Sequence, residues 1–253
     1  MLLSEIIENL EKFAPPELAC EWDNIGLMVG DRSTEVKRAV VTLDVTENTI
    51  DLAVENNCEL IVSHHPFIMS LGKNMAYDSH QNKMIYKLIK NDIAVYSMHT
   101  NFDSCIGGVN TVICEKLGLN GYPTEQPCII MSGQLSCEKT LSEFIDMVKK
   151  IFCVTAVTYS GDLNKKIKTV AVCGGGGGSF LEMAKNEEKA DVYFTGEVKY
   201  HDFQQAVSMN MPIVTAGHFE TENPSLYKIR DILKALNITV LNTEIHNGFS
   251  KIQ

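Results

Sequence analysis

The sequence predicts an α/β protein whose strands are mostly parallel, joined by helices and arranged in two halves. Three observations carry this. Strand-like apolar runs alternate with helix-like segments along the whole 253-residue chain, the order that buries a largely parallel sheet between layers of helix. Residues 121–134, with Pro123, Pro127 and polar neighbours, interrupt that alternation near its middle. The segments KRAVVTLDVTENTIDLAVENNCELIVSHHPF and IKTVAVCGGGGGSFLEMAKNEEKADVYFTGEVKY then repeat one order of strand, turn, helix, strand and polar strand end. The halves are accordingly read as 1–125 and 126–253.

The elements follow in order. Leu2, Leu3, Ile6, Ile7, Leu10 and Phe13, with acidic residues between them, give the helical apolar stripe of an amphipathic helix. Trp22, Asp23, Asn24 and Gly26 form an aromatic and polar island before GLMVGD, which reads either as a cap over a cavity or as a packed loop. Strands are expected at 37–45, 58–63, 93–98, 167–173, 191–195 and 212–215, and helices at 47–55, 81–90, 109–117, 142–150, 180–187, 202–209 and 225–236. Thr140 with Glu143 has the spacing of a capping box, and Gly118 after Leu117 that of a helix stop.

Composition excludes several classes. A 45% hydrophobic content is enough for an ordinary core. The helix at the start lacks a basic segment before its apolar residues, and no apolar run approaches the roughly 20 residues that cross a bilayer, so neither a signal peptide nor a membrane association is expected. The eight cysteines contain no C-x-x-C pair, which suits a reducing cytoplasm. A net charge of −10 leaves no basic stripe for the backbone of an extended nucleic acid, although a local pocket for a small phosphate ligand stays compatible with it.

The chemistry-bearing residues gather at strand ends. ELIVS runs into His64 and His65, IAVYSM into His99 and Asp103 (HTNFD), and PIVTAG into His218 and Glu222 (HFETE). In parallel sheets the space beyond the carboxyl ends of the strands is where ligands bind. Neighbouring side chains of a strand point to opposite faces, so two adjacent histidines serve one site only where the strand has ended, and Pro66 ends it. Diverging imidazoles suit two metal ions better than one, with carboxylates between them; each carboxylate stands four residues after a histidine, which on a helical turn brings the pair together. Any one of these histidines is more often a structural residue than a ligand; the whole set is not a usual product of packing. Imidazole with carboxylate fits zinc, iron, manganese or nickel. Cys105 reads as a further ligand or, more simply, as a buried inert thiol. Glu197 and His201 in TGEVKYHD are placed for general acid/base work or for bracing a ligand, against the plainer reading of a helix start. The run CGGGGGS at 173–179 offers backbone amides to a phosphate or simply makes a tight strand-to-helix turn.

With HHP, HTNFD and GHFETE in this order, WDNIGLMVGD upstream and TGEVKYHD between, nearly the whole chain resembles the family of GTP cyclohydrolase I type 2 homologues, also named for a transcriptional-coactivator-interacting factor. That resemblance implies two related α/β lobes, the second returning GHFETE to the metal site through the segment from about 212. It implies two divalent ions per subunit on His64, His65, Asp103, His218 and Glu222, the two carboxylates bridging, with His99 near the site. It also implies a toroidal homohexamer with its metal sites facing an internal cavity. Asp103 and His218 are 115 positions apart, so the chain is expected to be the short form without the domain some members insert between the lobes. The expected activity is hydrolysis of a nucleotide-like small molecule, of the GTP cyclohydrolase kind, with Glu197, His201 or His99 moving protons. Phosphoester hydrolysis at the same centre and a noncatalytic metal-binding scaffold are the alternatives.

Overall fold

The computed structural model describes residues 1–70, 72, 74–123 and 127–242. They pack as two compact units: Met1–Phe102 with the described residues from Leu226 on, and Asp103–Ser225. The boundary expected at 125/126 lies on residues outside the described ones. In the fold the chain passes between units at Phe102 and Asp103, within HTNFD, and leaves the second unit after Ser225.

The first unit begins with α1 (Leu3–Phe13), whose Leu3, Ile6, Ile7 and Leu10 are buried. These are four of the six residues of the stripe read from the sequence, each contributing about 1.5–3 kcal/mol of burial; Leu2, at the N-cap, is 44% exposed and Phe13 half-buried. There follow β1 (Gly26–Val29), β2 (Arg38–Thr42), α2 (Glu47–Glu55), β3 (Leu60–Ser63), α3 (His80–Lys90), β4 (Ala94–Ser97) and α4 (Thr100–Ser104), the short helix in which the unit boundary falls. The second unit carries α5 (Val109–Leu117), β5 (Met131–Thr140), α6 (Leu141–Phe152), β6 (Thr158–Ser160), β7 (Lys166–Gly176), α7 (Leu181–Asn186), β8 (Val192–Glu197), α8 (Tyr200–Ser208), β9 (Ile213–Thr215) and α9 (His218–Glu222). Then α10 (Tyr227–Ala235) and β10 (Thr239–Asn242) rejoin the first unit.

The first sheet has the order β1-β4-β3-β2-β10, with all pairs parallel except β1 against β4. Every residue of β3 is buried, as a central parallel strand requires. Val40, Ile61 and Val95 stand side by side in register and share a core with Ile50 and Ala53 of α2 and Ile85 and Leu88 of α3. The helices start on side-chain caps: Thr46 Oγ1 accepts from Thr49 N–H at 3.2 Å and Ser79 Oγ from Asn82 N–H at 3.1 Å.

The second sheet has the order β5-β7-β8-β9-β6, parallel in its centre and antiparallel at both edges. Ala171, Cys173, Tyr193 and Ile213 pack with Leu181 and Ala184 of α7 and Ala206 of α8. The capping box is present, Glu143 N–H donating to Thr140 Oγ1 at 3.2 Å and Thr140 N–H to Glu143 Oε2 at 2.7 Å. Gly118 ends α5 at φ +63°. The repeat is present as topology: β2-α2-β3 and β7-α7-β8 are both parallel pairs joined through a helix, and β3 and β8 are each the middle of three parallel strands.

The α/β reading therefore stands, with sheets that are mixed at their edges. The strands not anticipated are β1, β5, β6 and β10, all of them edge strands. Three are three or four residues long, and edge strands need no continuous apolar run because one side of them faces no neighbour. β7 also outruns its expected end at Cys173, continuing to Gly176 with a register irregularity against β8 between Cys173 and Gly176. Among the described residues no helix is long and apolar enough to cross a membrane.

Candidate metal centre

In the first unit the end of β3 explains the adjacent histidines. His64 N–H donates to Thr42 O at 3.0 Å and His65 N–H to Leu43 O at 2.9 Å. In a regular strand two successive N–H groups point to opposite sides; here both go toward the end of β2, so the alternation is broken where the strand ends. The two rings take separate partners, His64 Nδ1 beside Met98 after β4 and His65 Nδ1 beside Asp44 after β2. Their centroids are 5.0 Å apart at a 44° tilt, and one ring nitrogen from each, with one from His99, lie within 4.8 Å of one another. His64 is fully buried; His65 keeps 23% of its side chain exposed.

The ring nitrogens are assigned by their partners. His64 Nδ1 is 2.8 Å from Met98 O, and a carbonyl only accepts, so Nδ1 carries the proton and Nε2 the lone pair. His65 Nδ1–H is held by Asp44 Oδ1 at 2.8 Å and His99 Nδ1–H by Asp23 Oδ1 at 2.9 Å. Asp23 also accepts from Thr100 N–H at 3.0 Å and from Thr100 Oγ1–H through its other oxygen. Burial alone would raise the Asp23 carboxyl, but the bonds from His99 and Thr100 and the His99 charge outweigh it and hold the pKa at about 2. Imidazoles braced at Nδ1 by carboxylate or carbonyl, with Nε2 as donor, are what divalent-metal sites use.

The second unit supplies the remaining expected ligands. Gly217, at φ +103°, turns the chain from β9 into α9. One helical turn then sets His218 Nε2 3.1 Å from Glu222 Oε2, with the Glu222 carboxylate almost fully buried. His218 Nδ1–H is held by Glu197 Oε1 at 3.2 Å, from the end of β8. Asp103 is 8% exposed, and one of its carboxylate oxygens lies within 4.8 Å of one from Glu222. Its own carbonyl accepts from the Asn110 side chain at 3.1 Å. The glycine run also belongs to this arrangement. A Cβ on Gly175, at φ +61°, would run into Glu222 Oε1 and stand 2.9 Å from His218 Nε2, and one on Gly196 would stand 2.9 Å from His218 Cα. Small residues on the ends of β7 and β8 make room for α9.

A known family covers almost the whole chain: the family model of DUF34/NIF3 (NGG1p interacting factor 3) fits residues 1–249. The chain belongs to the DUF34/NIF3 family. Within it, the chain is 36% identical over 252 residues to the GTP cyclohydrolase 1 type 2 homolog of Clostridium acetobutylicum, covering 96% of this chain and 94% of that one. It is 32% identical to the homolog of Methanocaldococcus jannaschii, covering 96% and 100%. The alignment to the Listeria innocua homolog runs over 322 positions while using 83% of this chain, so that family member carries residues this one lacks. Among solved structures, the Bacillus cereus protein related to NIF3 superposes with a TM-score of 0.90 at 24% identity, covering 100% of this chain and 99% of that one, a likeness of fold. Reduced HcgD from Methanocaldococcus jannaschii superposes with a TM-score of 0.84 at 30% identity, covering 97% and 98%.

The DUF34/NIF3 strand ends thus bring His64, His65 and His99 together in one unit, and Asp103, His218 and Glu222 in the other. Glu197 touches His218 and braces it. His201 is 69% exposed, its Nε2 3.4 Å from the Asp202 carboxylate beside it. Burial first, then the Asp103 charge, pushes the Cys105 thiol up to about 12, so it is the inert protonated thiol of the simpler reading. Two residues escaped the sequence reading, Asp44 and Asp23. Asp44 stands two residues beyond the end of β2, inside the stretch 37–45 that the sequence reads as strand, so it gave no strand-end signal. Asp23 announced itself only as part of a polar island.

Proposed function

We propose that the protein is a metal-dependent hydrolase of a nucleotide-like small molecule, its centre a pair of divalent ions held by His64, His65, Asp103, His218 and Glu222 with the carboxylates shared. One observation carries the reading. Each of the four histidines His64, His65, His99 and His218 has its Nδ1 held by an oxygen acceptor, Met98 O, Asp44, Asp23 and Glu197 in turn, which assigns the Nε2 lone pair of each ring to ligation or proton transfer. The donor set is imidazole and carboxylate without thiolate, the chemistry of zinc, iron, manganese or nickel. When bound, such a pair supplies Lewis acidity and a water acidic enough to give hydroxide near neutral pH.

The chain's own residues prepare the site. Glu197 fixes the tautomer and plane of His218, and Asp44 those of His65. Asp23 keeps the proton on His99 Nδ1, so His99 Nε2 is the group we assign to taking and returning a proton; Glu197 and His201 are the next candidates for that role. The relatives' name, GTP cyclohydrolase 1 type 2 homolog, supports opening of the purine imidazole ring as the reaction to test first. Assembly as a homohexamer in the cytoplasm belongs to the same proposal, and light scattering of the purified chain checks its ring size.

Protein loaded with zinc, iron, manganese or nickel should release formate and a pterin precursor from GTP. Turnover no higher than the metal-free control with all four metals removes the substrate. Release of phosphate from model esters, lost in His65→Ala, would replace it with phosphoester hydrolysis. Tight metal retention without turnover of any metabolite tried would leave a noncatalytic scaffold.

A further inference from the structure

The chain has a single tryptophan, and it stands beside the three-imidazole group. Trp22 is 64% exposed, with its ring centroid 5.9 Å from that of His99 in an edge-to-face arrangement at 75°. An exposed indole on a slack loop would say nothing. This loop is tied down on both sides of the residue by the groups that build the site. Cys20 N–H donates to Thr100 Oγ1 at 2.9 Å, Asp23 N–H to Cys20 O at 2.9 Å and Asn24 N–H to Asp23 Oδ1 at 2.8 Å, while the Asn24 side chain donates to Ile68 O. Asp23, the next residue, is the brace of His99 and Thr100. The backbone that carries the indole is therefore fixed beside His99, and most of the ring's surface is left to solvent, the condition of a preformed wall rather than of a packing residue.

The charge around it selects what it can receive. Glu21 and Asp23 flank the ring in sequence, and Asp23 is a carboxylate, so the phosphate end of a nucleotide is disfavoured here. A neutral planar ring gains stacking area on the indole without facing that repulsion. We propose that Trp22 is the stacking platform for a purine base, holding the ring of the substrate next to His99. The inference rests on the nucleotide-like substrate of the proposed function and adds where its base lies.

The tryptophan is its own probe, since all indole emission comes from Trp22. The full-length, metal-loaded chain is titrated with GMP and, as a control without a base, with ribose 5-phosphate, with affinities checked by equilibrium dialysis. GMP should quench the emission and ribose 5-phosphate should not. Trp22→Ala should bind GMP about 5- to 100-fold more weakly, the range of a lost base–aromatic stack, and Trp22→Phe within about threefold of wild type, with metal content unchanged in both variants. Failure of GMP to bind or quench, equal effects of the two ligands, or wild-type GMP affinity in Trp22→Ala overturns the platform. So does emission that shifts with protein concentration and not with GMP, which would mark the indole as a contact between chains. Quenching by GMP in a protein that turns over no nucleotide would sink the hydrolase reading while leaving the platform in place.

Discussion

Replacing Asp23 by asparagine tests the bracing of the imidazole group in a way that can be worked out from the structure. The carboxylate accepts four hydrogen bonds, from His99 Nδ1–H, Asn24 N–H, Thr100 N–H and Thr100 Oγ1–H, and its side chain is fully enclosed. An asparagine keeps one oxygen and sets an amide donor against the donors on the other side. The Asp23 pKa falls from 3.8 to about 2, which amounts to about 2 kcal/mol of stability at neutral pH. In a chain of this size that is roughly 4–8 °C of Tm. Because the folded pKa lies below the unfolded one, the contribution is fully present above about pH 4 and is lost as pH falls through 2. The assay is thermal unfolding of metal-free wild type and Asp23→Asn at pH 7, 5 and 3. The gap should be equal at pH 7 and 5 and about half as large at pH 3. Equal Tm values at pH 7, or a gap that ignores pH down to 3, would refute the reasoning.

Other perturbations act on other links of the same chain of argument. Gly175→Ala places a methyl against Glu222 and His218 at a positive φ; a backbone penalty of about 1–2 kcal/mol and a loss of metal retention should appear together, by calorimetry and elemental analysis. Glu197→Ala should weaken metal binding about 10- to 100-fold, whereas Glu197→Gln, still able to accept from His218 Nδ1–H, should lose much less; equal losses in competition titrations with a chelator would show that Glu197 does not act by orienting His218. Thr140→Ala removes the cap of α6 and should cost about 1 kcal/mol, read as a lower urea midpoint with metal content unchanged.

How much of this was legible in the sequence depended on whether the signal was local. The end of β3 was legible because a fully apolar run, two histidines and Pro66 all fall within eleven residues. His218 with Glu222 was legible because helical spacing alone pairs them. Asp44 was not, because its partnership with His65 follows from β2 lying next to β3, and strand order is not written in either strand. Asp23 lies 76 positions from His99, and nothing near it points there. The separate settings of His64 and His65 follow from the strand end itself, where two successive N–H groups are bonded toward β2 while the rings take partners beside β4 and beside β2. The glycine run resisted a local reading because its cause is the approach of α9, remote in sequence. The edge strands β1, β6 and β10 were too short to show a period.

Metal content decides the central claim most directly. Wild-type protein purified without oxygen and without added metal is analysed for transition metals beside Asp103→Ala and Glu222→Ala, with circular dichroism to confirm that each variant is folded. The account expects bound metal in the wild type approaching two ions per chain, and loss of at least one in each variant, because two nearby cations repel without the negative charge they share. A folded wild type that holds no transition metal, or variants that keep the full wild-type complement, would contradict it.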